Sequence, residues 1–253
     1  MNIDIAYEGA TAIVTLNRPE RRNALSLELM LDVIAALDQI GRNAEIRAVI
    51  LAAAGKVFCS GHDLGQMAGR DITEYRRIFD VCTDLMQKLQ SIPQPVIAEV
   101  QGIATAAGCQ LVAMCDLAVA SRDARFAVSG VNFGLFCSTP SVALARNVAR
   151  KAAFEMLVTG DFISADEALD KGLVNRVVEA GGLDAEIDAL AAQIVAKPRV
   201  AIAMGKALFY RQLEAGIADA YADAGRTMAD NMMEACALDG VQAFIDQRKS
   251  KAI

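Results

Sequence analysis

Short apolar runs and helical patterns alternate along the first two thirds of the chain, and this alternation limits the folds open to it. The runs 47–53 (RAVILAA), 96–100 (VIAEV) and 116–121 (DLAVAS) are rich in small and β-branched residues and are typical of buried strands. Apolar residues in segment 71–92 recur at helical spacing and stop at Pro93. Alternating strands and helices predict an α/β fold with largely parallel strand pairing.

Local turn and cap signals support this division into elements. Two short strands are predicted around the turn Glu8–Gly9, and Ser26 is the predicted N-cap of the next helix. A capping box at 164–167 (SADE) starts another helix, which Gly172 is predicted to end before a strand at 173–178 (LVNRVV).

The pattern becomes helical from Leu183 nearly to the end of the chain. We therefore expect two parts, a core at 1–195 and a helical region at 196–253. A helical region appended to an α/β body commonly packs against that body or against a partner subunit.

Composition restricts the classes of function. The 253 residues are 54% hydrophobic and 22% charged, typical of a folded globular protein. The net charge of -6 disfavours a nucleic-acid partner, because such proteins need a basic surface. Polar residues interrupt the most apolar stretch, 96–120, so no membrane span is predicted. The start of the sequence shows no secretory signal pattern.

The cysteines and the single histidine bear on metal binding and on the redox compartment. None of the six cysteines forms a C-x-x-C pair, and one histidine is a poor basis for a zinc site. We expect no metal. Reduced cysteines in apolar surroundings are typical of a reducing compartment, so a cytoplasmic location is expected.

Five stretches, in order and over nearly the whole chain, resemble the crotonase (enoyl-CoA hydratase/isomerase) superfamily. They are LNRPERRNALS (16–26), VFCSGHDL (57–64), QPVIAEVQGIATAAGCQLVAMCDLAVAS (94–121), TGDFISADEALDKGLVNRVV (159–178) and AFIDQRK (243–249). The pattern AGCQLVAMCD is most similar to one subgroup, the enoyl-CoA hydratase domain-containing protein 3 group.

The resemblance implies a fold, a ligand and an assembly. Family members form a spiral of strand-strand-helix turns with a C-terminal helical trimerisation region, often paired into hexamers. They act on acyl-CoA thioesters and need no cofactor beyond the CoA moiety of the substrate. A homotrimer or hexamer that binds an acyl-CoA thioester is expected here.

The family's shared chemistry is an oxyanion hole of two main-chain N–H groups. By position, the resemblance assigns these donors to His62 and Ala107. Removing such a donor typically lowers the rate about a hundred- to a thousandfold. Ala106-Ala107-Gly108 stands where the family usually has three glycines. The two methyl groups narrow the space above the predicted oxyanion hole but leave the main-chain donors in place.

Two acids that family hydratases use are missing. The resemblance implies a glutamate at position 110 and another at 130, where this chain has Gln110 and Gly130. An amide cannot take up and return a proton at neutral pH. Because each positioned acid or base contributes about a hundred- to ten-thousandfold, ordinary enoyl-CoA hydration is predicted to be very slow.

Other residues are weaker candidates for proton transfer. The His62 side chain is a possible acid or base, although only its main chain is needed for an oxyanion hole. Cys137 is a possible nucleophile, but Thr139-Pro140 is typical of a helix start, which favours a capping role for the segment. Glu99 is a candidate only if it is buried.

The resemblance also suggests residues that contact CoA. Basic side chains suited to its phosphates are Arg21, Arg22 and Lys56. Lys206 and Phe244, from the C-terminal helices, are weaker candidates for contact with CoA. The loops that surround the predicted oxyanion hole add Phe58, Ser60, Asp63, Leu64 and Gly108. Asp63 and Asp116 also occupy positions that fit a structural role in bracing loops.

Three functions remain open at this point. One is an acyl-CoA enzyme that works without the paired acids, by isomerisation, thioester hydrolysis or decarboxylation. A second is an acyl-CoA-binding or regulatory protein without turnover, and a third is a residual hydratase. A proton-transfer group beside the predicted hole would separate the first function from the second.

Overall fold

The structure is a computed structural model that describes residues 2–251. The chain divides into two compact units, of which the first ends at Ile194 and the second begins at Val195. In the described residues the strands are β1 (Ile3–Glu8), β2 (Thr11–Leu16), β3 (Ala48–Ala53), β4 (Val57–Cys59), β5 (Val96–Val100), β6 (Ile103–Thr105), β7 (Leu117–Ser121), β8 (Arg125–Ala127), β9 (Ile163–Ser164) and β10 (Arg176–Val178).

Helices connect these strands in the first unit and make up the second. They are α1 (Leu27–Arg42), α2 (Leu64–Met67), α3 (Ile72–Ser91), α4 (Ala107–Met114), α5 (Ser138–Asn147), α6 (Arg150–Thr159), α7 (Ala165–Asp170), α8 (Leu183–Val195), α9 (Arg199–Leu213), α10 (Ile217–Met232) and α11 (Ala235–Lys251). Short 3-10 helices occupy Pro19–Arg21, Ser129–Phe133 and Ala180–Gly182.

From β3 to β8, successive strands alternate between two sheets. The larger sheet has the order β1-β2-β3-β5-β7-β10 and the smaller sheet the order β4-β6-β8-β9. The strand pairs β3–β4, β5–β6 and β7–β8 therefore each send one strand to each sheet before a helix follows, whereas β1 and β2 both lie in the larger sheet. The predicted α/β class and largely parallel pairing are confirmed, and the antiparallel pairs are β1–β2 and β8–β9.

The larger sheet is buried because its central strands consist almost entirely of apolar residues. Helices α1 and α3 contact each other and contribute Leu37 and Leu85 to the core, both without exposed surface. The predicted caps form: the Ser26 hydroxyl accepts from the Leu29 amide at 3.2 Å, and Ser164 and Glu167 complete the capping box. These caps fix where the helices begin relative to the sheets.

Two boundaries differ from the sequence prediction. The predicted strand at 173–178 is a strand only from Arg176, because the Leu173 amide bonds back to Ala168 O and closes α7. Asn175 then pairs with Ala118, its side chain accepting from the Ala118 amide at 2.8 Å. Helix α5 begins at Ser138, one residue before the predicted Thr139-Pro140 start.

The second unit consists of three helices, in which α10 contacts both α9 and α11. The helices of the described residues include none whose length and apolar character would let it cross a lipid bilayer.

Candidate functional site at three parallel strand ends

The candidate site lies where the parallel strands β4, β6 and β8 of the smaller sheet end. Neighbouring parallel strands bring their carboxyl ends to one edge, which is the usual place for a ligand in such sheets. The segments that follow the three strands carry His62, Ala107 and Gly130. These predicted site residues, distant in sequence, therefore line one cavity.

The segment after β4 is held in place by Leu25. The Leu25 amide donates to Gly61 O at 2.8 Å, and the Asp63 amide donates to Leu25 O at 3.0 Å. This is a parallel bridge between Leu25 and His62, and it leaves the His62 N–H directed away from Leu25. Gly61 has a φ of 93°, which favours glycine.

The segment after β6 turns sharply into α4. Ala106 has φ 51° and ψ −120°, an unusual conformation for a residue with a Cβ, and its amide donates to Ala127 O at 2.9 Å. Ala107 is the first residue of α4, so its N–H lacks an intrahelical acceptor. Gly108 packs so closely on Cys59 O that a side chain would not fit.

These two segments touch each other. A methyl group built on Gly61 would lie 2.9 Å from the Ala106 Cβ and 3.3 Å from the Ala107 nitrogen. Neither the His62 N–H nor the Ala107 N–H donates to a protein group within the described residues. The arrangement places two residues whose main-chain N–H groups have no protein acceptor among the described residues in neighbouring segments of the cavity lining.

The cavity has a volume of about 470 Å³ and lies within the first unit. It is within the size range of small-molecule sites. Its lining residues are Ser60, His62, Leu64, Met67, Phe79, Ala106, Ala107, Ser129, Gly130, Phe133, Leu135, Phe136, Cys137, Ser138, Thr139 and Pro140. Apolar side chains and hydroxyl groups dominate this list, and it contains no Asp, Glu, Lys or Arg.

The segment after β8 closes the space around Gly130. A methyl group on Gly130 would lie 2.5 Å from Leu135 O and 2.7 Å from Cys137 Sγ. The Leu135 amide donates to Gly130 O at 3.0 Å, and the Gly130 amide points at Cys137 Sγ at 3.3 Å. Position 130 therefore has no room for any side chain unless residues 130–137 rearrange.

Burial suppresses proton transfer by the two titratable groups in the lining. Desolvation lowers the pKa of the His62 imidazole to about 4, so the ring is neutral at physiological pH. Desolvation also raises the pKa of the Cys137 thiol, which outweighs the hydrogen bond from Gly130. Cys137 occupies the N-cap position of α5 without capping it. Neither group is poised as a base or nucleophile.

Gln110 is buried in α4 and does not line the cavity. Its Oε1 is inaccessible to solvent and has no hydrogen-bond partner within the described residues. A buried polar atom without a hydrogen-bond partner costs its desolvation free energy, so the Gln110 amide lowers the stability of the folded protein at this position.

The basic residues suggested for CoA lie on the surface of the segments that lead into the cavity. Arg21 and Arg22 are exposed at the end of the first 3-10 helix, and Arg22 O accepts from the Ser60 amide at 3.1 Å. Lys56 is also exposed, just before β4. Asn23, fully buried, holds the two segments together by donating to Ala54 O and Val57 O.

Several suggested ligand contacts have structural roles. The Phe58 side chain is fully buried in the core, so Phe58 is a core residue and not the ligand contact that the resemblance suggested. Asp63 caps α2 through the Gly65 amide and pairs with Arg18 at 3.4 Å. Asp116 braces a loop, as expected, by accepting from the Val96 amide at 2.6 Å.

The remaining suggested residues are not part of the cavity lining. In the second unit, Lys206 is buried in α9, and Phe244 is exposed in α11 with the Arg248 guanidinium 5.1 Å from its ring centroid. Glu99 is partly buried in β5, and desolvation followed by Asp184 raises its pKa to about 7.

Residues that the sequence analysis missed form much of the cavity wall. Phe79 and Met67 face it from the α2–α3 region, and Phe133, Leu135 and Phe136 come from the segment after β8. The apolar run NFGLF (132–136) in a turn region was the one available signal. The fold and the site thus define an α/β protein with an apolar cavity and two free main-chain donors at three strand ends.

A family model described as enoyl-CoA hydratase/isomerase matches residues 6–251. The chain belongs to this family, the crotonase superfamily, and its fold matches solved members of the family. It is 44% identical over 237 residues to enoyl-CoA hydratase domain-containing protein 3, mitochondrial, of Rattus norvegicus, covering 93% of this chain and 79% of the relative.

Two solved structures are similar over nearly the whole chain. A crystal structure of an enoyl-CoA hydratase from Mycobacterium smegmatis has a TM-score of 0.96 and 58% identity, covering 98% of this chain and 97% of the other. Human enoyl-CoA hydratase domain-containing protein 3 has a TM-score of 0.95 and 40% identity, covering 98% of each chain. The resemblance to this subgroup is confirmed.

The comparisons correct one prediction. The prediction of a cytoplasmic location is wrong, because the similar proteins of Rattus norvegicus and Homo sapiens are named as mitochondrial proteins. Reduced cysteines indicate a reducing compartment, and that indication alone cannot separate one such compartment from another.

Proposed function

We propose that the chain binds an acyl-CoA thioester in the cavity of about 470 Å³, with the thioester oxygen between the N–H groups of His62 and Ala107. The observation that carries this proposal is the contact between the Gly61 and Ala106–Ala107 segments, which places both unused donors in neighbouring segments of the cavity lining. Fixed donors at a developing oxyanion are a main source of catalytic stabilisation.

The position of α4 supports the same role. Ala107 begins this helix, and a helix N-terminus favours negative charge. Phe79, Phe133 and Phe136 line the cavity with apolar rings. An acyl chain packed against the exposed rings of Phe133 and Phe136 would shield the oxygen from water and so strengthen its hydrogen bonds. The exposed Arg21, Arg22 and Lys56 provide cations for the CoA phosphates outside the cavity.

The proposed reaction is not ordinary hydration. Hydration needs a group that delivers water and a proton, yet no carboxylate lines the cavity and His62 stays neutral. Gln110 and Gly130 occupy the positions of the family's two glutamates, and position 130 has no room for a side chain. A non-catalytic acyl-CoA-binding protein is the second candidate, and it is supported by the same lack of carboxylates among the lining residues.

Substitution of Gly61 by alanine tests the proposed donors. The added methyl group would sit 3.3 Å from the Ala107 nitrogen and obstruct it, so we expect butyryl-CoA to bind at least about tenfold more weakly in calorimetry. Gly9→Ala is the matched control, because Gly9 also has a positive φ but its added methyl meets nothing within 4 Å. Equal affinity in both variants would contradict the proposal.

Crotonyl-CoA turnover separates the remaining functions. We expect pure protein to hydrate it several powers of ten more slowly than a working hydratase, because both acids are absent. Slow turnover combined with tight binding supports the proposal, and hydratase-like turnover would contradict it.

A homotrimer or a pair of trimers is proposed as the assembly. Family membership supports it, as do the exposed apolar side chains on the second unit's helices, among them Leu213, Ile217 and Tyr221. Native mass spectrometry should give particles of three or six chains. A monomer at micromolar concentration would contradict this proposal.

A further inference from the structure

Helix α2 (Leu64–Met67) forms part of the cavity wall although it is not packed into the core. Leu64 and Met67 line the cavity, but no residue of α2 is buried, and Leu64 is 62% exposed. A segment with few buried apolar contacts opens at a low cost in free energy. The position of α2 therefore depends on polar contacts with its neighbours.

At Gln66, helix α2 borders a second cavity, of about 220 Å³. The residues that line this second cavity are Leu27, Glu28, Gln66, Arg70, Glu74, Arg77 and Ile78. They come from the start of α1, from α2 and the segment after it, and from α3. Because α2 borders one cavity at Gln66 and the other at Leu64 and Met67, the packing of neighbouring side chains gives it little support.

Gln66 joins α2 to the start of α1 by two hydrogen bonds. Its Oε1 accepts from the Leu27 amide at 2.8 Å, and its Nε2 donates to Glu28 Oε2 at 2.8 Å. Only this orientation of the amide group satisfies both partners, because an N–H needs an acceptor and a carboxylate needs a donor. The Leu27 amide is the first of α1 and has no acceptor inside the helix, so Gln66 provides the acceptor that it lacks.

The two bonds of Gln66 extend the main-chain bridge between Leu25 and His62, so the start of α1 is bonded to both ends of the segment 61–66. We propose that Gln66 is a positioning residue: by holding α2 on the start of α1, it keeps Leu64 and Met67 in the cavity wall, where they pack against an apolar acyl chain. The part that concerns the acyl chain rests on the proposed function.

Calorimetry with butyryl-CoA and octanoyl-CoA tests the wall. Octanoyl-CoA should bind the wild-type protein at least about tenfold more tightly, because burial of its additional methylene groups is favourable. In Gln66→Ala this advantage should fall at least about threefold, since the wall is no longer held in place. Gln90→Ala is the matched control, because Gln90 is also partly buried but bonds elsewhere, to Met114 Sδ. An unchanged advantage in Gln66→Ala, or none in the wild-type protein, would overturn the proposal.

Exchange of the two hydrogen-bond partners tests whether their pairing is the cause. Gln66→Glu removes the amide donor and sets a second carboxylate against Glu28, so the octanoyl-CoA advantage should fall as it does in Gln66→Ala. Adding Glu28→Gln supplies an amide donor from the opposite side, and the advantage should return to within about twofold of wild type. The same advantage in the single and the double variant would overturn the role assigned to this pair.

Hydrogen exchange measures how firmly α2 is held without any ligand. The amides of Met67 and Ala68 close the single turn of α2. They should exchange faster in Gln66→Ala than in the wild-type protein, because α2 opens more often once its bonds to α1 are lost. Equal exchange in both proteins would overturn the role of Gln66. Failure of both acyl-CoA ligands to bind the wild-type protein would contradict the proposed function, and the exchange rates would still decide whether Gln66 holds α2.

Discussion

Ala106 is strained, because φ 51° and ψ −120° place its Cβ close to its own main chain. We expect Ala106→Gly to raise the free energy of unfolding by about 1 kcal/mol, since release of strain outweighs the entropy that glycine adds to the unfolded chain. Urea unfolding measures this change.

Ala53→Gly is the control for Ala106. Ala53 is also partly buried but lies in regular strand β3, where glycine is expected to lower stability by about 0.5–1 kcal/mol. If both substitutions destabilise the protein equally, the turn into α4 is not strained.

Glu99 makes stability depend on pH. Desolvation, then Asp184 and Asp188 on α8, raise its pKa from 4.5 to about 7. An acid with a raised folded-state pKa stabilises the protein most below its unfolded pKa, and this contribution is lost as pH rises through about 7. Glu99→Gln should therefore be more stable than wild type at pH 8 by about 1–3 kcal/mol and nearly equal at pH 5.

Urea unfolding at both pH values measures the effect of Glu99. Glu45→Gln, at an exposed position, is the control and should change stability little at either pH. A Glu99→Gln advantage that is the same at pH 5 and pH 8 would contradict the raised pKa.

The sequence identifies candidate site residues better than it identifies the side chains that surround them in the fold. His62 and Ala107 could be singled out because a main-chain role is assigned by position, and the motifs that resemble the family fix those positions in the chain. Phe79 could not, since helical spacing shows only that a residue is apolar and not whether it faces the core or a cavity. The burial of Phe58 and of Glu99 likewise depends on neighbours distant in sequence.

The segment from Ser129 to Pro140 gives the site its unusual form. It combines a 3-10 helix, a turn and the start of α5, and it directs Leu135 O and Cys137 Sγ at Gly130. The space beside Gly130 is therefore filled by main chain and a thiol.

The combined variant Gln110→Glu with Gly130→Glu should not gain crotonyl-CoA hydration. The new side chain at 130 meets a carbonyl oxygen 2.5 Å from its Cβ, and a carboxylate at 110 would be buried. Gly130→Ala alone should lower stability by about 1–3 kcal/mol.

Gly181→Ala is the matched control, because its added methyl meets nothing within 4 Å and its stability should change by less than about 0.5 kcal/mol. A stable double variant that hydrates crotonyl-CoA would show that the segment adapts and that only the acids were lost.

Elements with strong local signals follow from the sequence. The helix at 72–91 and the capping box at 164–167 were predictable because spacing and cap chemistry are local. The short strand at Arg176–Val178 was less so, since Asn175 and Ala118 decide where pairing starts. The approach of Leu135 O to Gly130 depends on how one turn folds back, which has no sequence pattern.

For the whole molecule, alternation of strands and helices predicts the α/β class, but the division into two sheets depends on long-range pairing. The cavity is assembled from the segments after β4, β6 and β8, and these strands end at Cys59, Thr105 and Ala127, 46 and 22 residues apart in sequence. Such separations follow from the long crossovers that parallel pairing needs. The proposed ligand class rests on this assembly and on family membership. The reaction depends on the few polar groups that line it.

The most direct test of the account is the infrared spectrum of butyryl-CoA labelled with carbon-13 at the thioester carbonyl. When it binds the wild-type protein, the carbonyl stretch should move to lower frequency than in water, because two fixed main-chain donors polarise the bond. The shift should be smaller in Gly61→Ala and unchanged in Gly9→Ala. A bound carbonyl with the same frequency as in water would contradict the central claim.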